Sequence, residues 1–326
     1  MTRRRQWLVA CGLGAVVGDS LSAPTATEAR RLGALLFDRP ESWTELRDGL
    51  RTELAALGWV EGSSLAMDWR FADGDLKRLP ALAAALCNSG VDAIVTRGSP
   101  ATRALQQATK TIPILTGVGD PVGSGFAKSF ARPGGNITGI SYAQVEISQK
   151  QFELLREVVP RMSRLTYVLK SDRKATADDT IRAVETLARG ASIETRFVFA
   201  ADADELRKAL PRARDSGLEA ALVYSFGAST SPSEVAAIVL AARLPAMYDQ
   251  RAYVDAGGLM SYRLNWENQT RRTAAQIDKV LRGTSPAQIP FELPTRSELI
   301  VNASTAKALG VTLSRTLLAQ ADEVVT

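Results

Sequence analysis

The sequence predicts an α/β protein made of two successive doubly wound parallel-sheet units. Three observations predict it. Short apolar runs alternate with helical patterns from residue 31 onward. Many of those runs are mainly apolar, as strands covered on both faces are. The alternation then restarts after Pro133-Gly134-Gly135. A chain of 326 residues is long enough for two domains, and 45% apolar with 23% charged residues is the balance of a soluble globular protein.

In the first unit "RLGALLF" is a strand. "ESWTELRDGLRTELAALGW" follows as a helix, with Trp43, Leu46, Leu50, Leu54 and Leu57 at helical spacing. "SLAMDWR", "VDAIVT" and "IPILTG" are strands, separated by helices "LPALAAALCNSG" and "SPATRALQQAT". "DPVGSGFAKSFARPGGN" reads as a short helix closed by its Pro-Gly-Gly. The second unit runs from strand "NITGISY" through "RLTYVLK", "IETRFVF", "EAALVYS" and "PAMYD" to "GLMSY". Helices "SQKQFELLREVVP", "TADDTIRAVETLARG", "DADELRKALPRARDSG" and "SPSEVAAIVLAARL" lie between them. Pro-rich "SPAQIPFELPT" breaks the alternation; "SELIVN" and two short helical segments close the chain. Both "PGGNITGISY" and "AGGLMSY" set a Gly-Gly before a strand ending in Ser-Tyr. Two readings stand: strands that pass between two lobes, or ordinary glycine punctuation.

Residues 1–29 read as an export signal. "MTRRRQW" is basic, "LVACGLGAVVG" apolar and too short for a mature membrane span, and small residues follow. Arg4-Arg5-Gln6-Trp7-Leu8 has the twin-arginine shape. Cleavage between Ser22 and Ala29 is expected, placing the mature protein in the periplasm. Lipidation at Cys11 is disfavoured, because almost no apolar stretch precedes it. Cys87 is then the one remaining thiol, in an alanine-rich helical pattern, and is expected to be inert.

The formal charge is +5, and no run of five like charges occurs, so no nucleic-acid partner is expected. Histidine is absent. That removes the commonest general base, the usual hydrolase triad and most zinc sites. No cofactor, metal or catalytic residue is expected. Carboxylates lack calcium-loop spacing, and Gly117-x-Gly119-x-x-x-Gly123 misses the dinucleotide spacing. Ser304-Thr305-Ala306-Lys307 matches Ser-x-x-Lys without its partner motifs, and a helix capped by Asn302 or Ser304 accounts for it.

Six strand-end loops remain: "FDRPESW", "TRGSPAT" and "GVGDPVG" in the first unit, "SYAQ", "YSFGASTS" and "YDQRAY" in the second. Ligands of open parallel sheets sit beyond the strands' carboxyl ends. Ser99 suits a helix N-cap and Pro100 the first helical position. The amides of Ala101 and Thr102, with the Ser99 and Thr102 hydroxyls, then offer an anion pocket, or simply a capped helix meeting water. Asp120 and Asp249 are candidates for a ligand ammonium, or for Asx turns. Ser141, Tyr142, Tyr224 and Phe226 crowd the second unit's strand ends as cleft or core residues.

The stretches "DGLRTELAALGWVEGSSLAMDWRFADGDLKRLPALAAAL", "VDAIVTRGSPATRALQQATKTIPI", "GVGDPVGSGFAKSFARPGGNITGIS", "AYVDAGGLMSYRLN" and "TAKALGVTLSRTLLAQADEVV" resemble, in that order, a known family. It is the exported substrate-binding proteins of ABC transporters related to tryptophan- and tyrosine-binding proteins. The resemblance implies a type I periplasmic binding protein-like fold, two lobes joined by crossing strands. It implies a first lobe of 31–141 plus 264–292 and a second of 142–263 plus 293–326, with the Gly-Gly strands as crossings. It implies an amino-acid-like or carboxylate ligand in the cleft, an ABC permease as partner, and ligand contact at Ser99 to Thr102, Asp120, Tyr224 and Asp249. A sensing module that signals through a separate receptor is the rival reading. "FDRPESW" is bulkier and more charged than the small loop of the family, so Arg39 and Trp43 reshape the cleft.

Overall fold

The computed structural model describes residues 29–171, 178–224 and 230–326. All of the expected leader but Ala29 lies outside them, as does Phe226. The first sheet holds β1 (Arg30–Leu36), β2 (Leu65–Phe71), β3 (Ala93–Arg97), β4 (Ile114–Val118) and β5 (Ile137–Ser141). Its order is β2-β1-β3-β4-β5, all parallel. The second holds β6 (Arg164–Lys170), β7 (Glu194–Ala200), β8 (Ala220–Tyr224), β9 (Ala246–Tyr248), β10 (Met260–Leu264), β11 (Ser297–Asn302) and β12 (Glu323–Val325). Its order is β7-β6-β8-β9-β10-β11-β12. The first five strands repeat the winding of the first sheet. In each, strand order reverses between the first and third strands of the unit, β1 and β3 here, β6 and β8 there.

Alternate residues of the central strands feed opposite cores. In β1, Leu32, Ala34 and Leu36 pack on one face and Leu35 on the other. The second sheet likewise separates Leu165, Tyr167 and Leu169 from Val168. This is why its strands are apolar without a period of two. Helices α1 (Thr44–Ala56), α2 (Leu79–Cys87) and α3 (Ser99–Ala108) cover the first sheet. Helices α4 (Gln144–Val158), α5 (Asp178–Gly190), α6 (Ala203–Asp215), α7 (Pro232–Ala241) and α8 (Arg251–Asp255) accompany the second.

The chain passes between lobes three times. After β5 it enters α4, which contacts α5, β9 and β10. After β10 it enters α9 (Trp266–Leu281), which packs on α1 and reaches β3, β4 and β5. Residues 289–292 then run beside β5: Ser141 N–H donates to Glu292 O at 2.9 Å and Glu292 N–H to Gly139 O at 3.0 Å. The third passage leads into β11, and α10 (Ala303–Leu309) and α11 (Arg315–Gln320) follow.

The structure departs from the sequence reading in places. Residues 120–136 form successive turns and no helix. Pro121, and Gly125 at φ +72°, hold the backbone to single turns closed by Phe126 and Ala127 N–H on Pro121 O. Strand β11 is antiparallel to β10, so the second sheet is mixed. Strand β12 and helix α8 escape the pattern because they are only 3 and 5 residues long. Asn302 caps α10, its side chain accepting from Thr305 N–H at 2.9 Å, which accounts for the Ser-x-x-Lys match structurally. Cys87 is half-buried, and burial raises its thiol pKa, disfavouring the thiolate.

Gly139 is where β5 needs a glycine. A Cβ there would collide with the backbone of Thr116 on β4. Gly139→Ala should therefore cost about 1–3 kcal/mol. A urea titration should show a lower midpoint with an unchanged slope; an unchanged midpoint would refute this account of the strand pairing.

Candidate functional site

Loops at the carboxyl ends of β1 and β3 flank the first sheet's point of reversal. A 3-10 turn, Pro40–Trp43, leads from β1 into α1 and sets Trp43 there. Arg97 ends β3, and its guanidinium carbon lies 5.7 Å from the Trp43 ring centroid and 5.6 Å from that of Tyr142. Two aromatic faces thus hold one cation. The Tyr142 ring fits there because position 117 is glycine, where a Cβ would strike the phenol. Burial raises the Tyr142 phenol pKa, and the nearby Arg97 charge partly opposes that.

The neighbouring helix start differs from expectation. The N-cap of α3 is Gly98, at φ +83°, so Ser99 is the first helical residue and Pro100 the second. Thr102 N–H already donates to Gly98 O at 3.2 Å. Its hydroxyl bonds Gly98 O at 2.9 Å and Thr116 Oγ1 at 2.6 Å. Ala101 and Thr102 are wholly buried. The expected anion pocket is therefore corrected at Thr102, whose amide and hydroxyl secure the helix start to Gly98 and β4, while the Ala101 side chain packs in the core. Asp120 is exposed, and its Oδ1 accepts from Val122 and Gly123 N–H at 3.0 and 2.8 Å. It is the Asx turn. Ser141 is buried, its hydroxyl donating to Gly119 O at 2.9 Å and accepting from Ala143 N–H at 3.1 Å, so it shapes the crossing.

The second sheet's reversal point carries stacked tyrosines. Tyr167 of β6 and Tyr224 of β8 have ring centroids 5.2 Å apart. Gln144, just past the first crossing, donates to Tyr224 Oη and to Ser148 Oγ, each at 3.1 Å. Asp249, half-buried after β9, acts electrostatically on both tyrosines. Burial raises the Tyr224 pKa foremost; Gln144 lowers it and Asp249 raises it. Tyr167 is pushed well up by burial, then by Tyr224 and Asp249.

Of the predicted residues, Trp43 and Tyr142 meet at one switch point, and Tyr224 and Asp249 at the other. Ser99 begins α3 beside the first. Gln144, Tyr167 and Arg97 complete these groups. Sequence reasoning left Arg97 open and missed the other two, because Gln144 lay in an expected loop and Tyr167 in an apolar strand. It also missed a small cavity of about 10 Å³ lined by Leu36, Leu46, Trp69, Arg97, Tyr142 and Gln269, among others. Gln269 is 1% exposed and sits on the buried stripe of α9. A glutamine at an apolar-stripe position is the signal that would have found it. No group of three metal-ligating side chains occurs among the described residues, and no helix there is long and apolar enough to cross a membrane.

Tyr142, Tyr167 and Tyr224 are all kept neutral by burial. In the unfolded chain they ionise near pH 10, in the folded chain only above it. Their contribution to stability is therefore complete below about pH 10 and is lost as pH rises beyond it. Urea midpoints should hold steady up to about pH 9.5 and fall above 10, with a smaller fall in Tyr224→Phe. A midpoint indifferent to alkali would contradict this.

Known proteins match most of the chain. The family described as ABC transporter substrate binding protein matches residues 37–325. A tyrosine-binding protein of Clostridioides difficile is 24% identical over 285 residues, which is 84% of this chain and 79% of that protein. An ABC domain from Streptococcus pneumoniae, solved in complex with L-Trp, has a TM-score of 0.74 at 23% identity, covering 91% of this chain and 100% of that one. A ligand-free, open substrate-binding protein with adhesive properties from Clostridium difficile has a TM-score of 0.65 at 22% identity, with the same coverage. These structural likenesses speak for the fold, the two-lobed type I periplasmic binding protein architecture. The matched family consists of binding proteins and not enzymes, and this chain is accordingly no enzyme. By a match that runs from the end of the first strand to the last, the chain belongs to the ABC transporter substrate-binding protein family.

Proposed function

We propose that this protein captures a free aromatic L-amino acid between its lobes and hands it to the membrane permease of an ABC importer. One observation carries the reading: a cation and an anion stand at the two switch points, Arg97 between Trp43 and Tyr142, Asp249 beside Tyr167 and Tyr224. A zwitterion answers both. Its carboxylate meets the planar Arg97 fork, its ammonium meets Asp249, and the aromatic rings supply apolar contact. The tyrosine named for one relative and the L-Trp bound to another support the ligand class.

Capture works by closure. A ligand touching both lobes binds the closed form better than the open one and shifts the population toward it. Two charge-assisted ends and one buried ring are enough for a micromolar dissociation constant, about 8 kcal/mol. The Arg4-Arg5 leader pattern supports a periplasmic site of action, reached by the twin-arginine route.

At a hundredfold excess over its dissociation constant, ligand should add about 2.7 kcal/mol of stability. In a thermal-shift series L-tyrosine and L-tryptophan should raise Tm. Tyramine, lacking the carboxylate, and N-acetyl-L-tyrosine, lacking the ammonium, should not. Asp249→Asn should weaken amino-acid binding by about tenfold to a hundredfold. Absence of any shift with every amino acid tried would sink the reading.

A further inference from the structure

Beneath Arg97 the first lobe carries a polar group that the fold does not use. Gln269 lies on the first turn of α9, 1% exposed, and both ends of its amide lack a hydrogen-bond partner among the described residues. The Trp69 indole N–H, on the same cavity, lacks one as well. Elsewhere in the same helix a buried amide is used at one end: Gln276 Nε2 donates to Gly139 O at 3.2 Å, while its Oε1 lacks a partner among the described residues. Buried polar atoms are nearly always paired, and each unpaired one is costly. Three such atoms on two residues that line one cavity between strand ends and α9 leave room for a partner.

We infer that Gln269 is a specificity-determining residue of the cleft, reading an uncharged hydroxyl at the tip of the ligand's side chain. The donor inventory selects that chemistry. Gln269 Oε1 needs a donor, while Gln269 Nε2 and Trp69 Nε1 need acceptors. A carboxylate only accepts and would set its charge against the amide oxygen. An ammonium only donates and would face the Arg97 cation. A hydroxyl donates once and accepts twice. A carboxamide has both functions, but a cavity of about 10 Å³ is the size of a water and too small for it. Leu36, Leu46, Val95 and Ile140 give the surroundings an apolar character. The side chain read here is thus an apolar body with a terminal hydroxyl, as in a phenol.

This inference rests on the amino-acid reading of the cleft, and its test separates the two. Dissociation constants of L-tyrosine and L-phenylalanine are measured by calorimetry for the full mature chain, Gln269→Leu and Gln269→Asn. The wild type should prefer L-tyrosine by about tenfold or more, since a site built for a hydroxyl rejects the analogue without it. Both variants should bring the ratio within about threefold by weakening L-tyrosine while leaving L-phenylalanine nearly unchanged. The Gln269→Asn variant keeps the amide but withdraws it by one methylene, so it serves if the leucine variant folds poorly. An undiminished preference in the variants, or a wild type indifferent to the hydroxyl, overturns the inference and leaves the amino-acid reading standing. A wild type that binds neither overturns both. A readout without ligand is Tm: Gln269→Leu should raise it by a few degrees, because leucine has no orphaned polar atoms. A clear fall in Tm of a folded Gln269→Leu would mean that the amide serves the fold through a buried water, and would overturn the inference.

Discussion

Covering both faces of both sheets is the constraint on which the rest of this structure depends. The interiors of the central strands are committed to four cores, so their residues are fixed by packing, while the edge strands β2, β7 and β12 stay partly exposed. Polar and aromatic variety is pushed to the carboxyl ends of the strands, where helices have yet to begin. Strand order reverses once in each unit, and at that reversal two loops diverge and leave a crevice. Arg97 with Trp43 stands at one crevice, and Tyr224, stacked on the buried Tyr167, at the other. The candidate binding chemistry of the molecule is thus confined by topology before any individual side chain is chosen.

The two crevices solve different problems. The first is cationic and rigidified by aromatic faces. The second is a hydrogen-bonded cluster of phenols and amides beside one carboxylate. Phenols held neutral by burial leave Asp249 as the group that sets the sign of that surface. Gln144 ties this cluster to the crossing, since it binds Tyr224 while its backbone neighbour Ala143 is anchored on Ser141.

The fold was legible in the sequence because parallel strands buried on both faces leave continuous apolar runs, and helices between them leave a period near four. Short elements without such runs, β12 and α8, were not legible. Neither was the stretch from Asp120 to Asn136, where proline and spaced glycines defeat a helix that the apolar residues suggest. The candidate site was only half legible. Trp43, Tyr142, Tyr224 and Asp249 could be named because aromatic and acidic residues stand out at strand ends. In the sequence Ser99 suits the cap, which would leave the Thr102 amide free for an anion. Gly98 takes that role with a positive φ, and the Thr102 amide is spent on it. Gln269 was invisible, since orphaning is a relation between atoms from distant segments and leaves no local mark.

The pairing of residues 289–292 with β5 fixes more than the edge of a sheet. Glu292 is hydrogen-bonded to Gly139 and Ser141 on both of its backbone groups, so the third passage departs from the first lobe alongside the first passage. Two of the three cords between the lobes are thereby gathered onto one line. A torsion about that line moves the rim opposite it by the greatest arc and the cords themselves scarcely at all. The line along which two of the passages leave the first lobe is therefore set by two main-chain hydrogen bonds of Glu292.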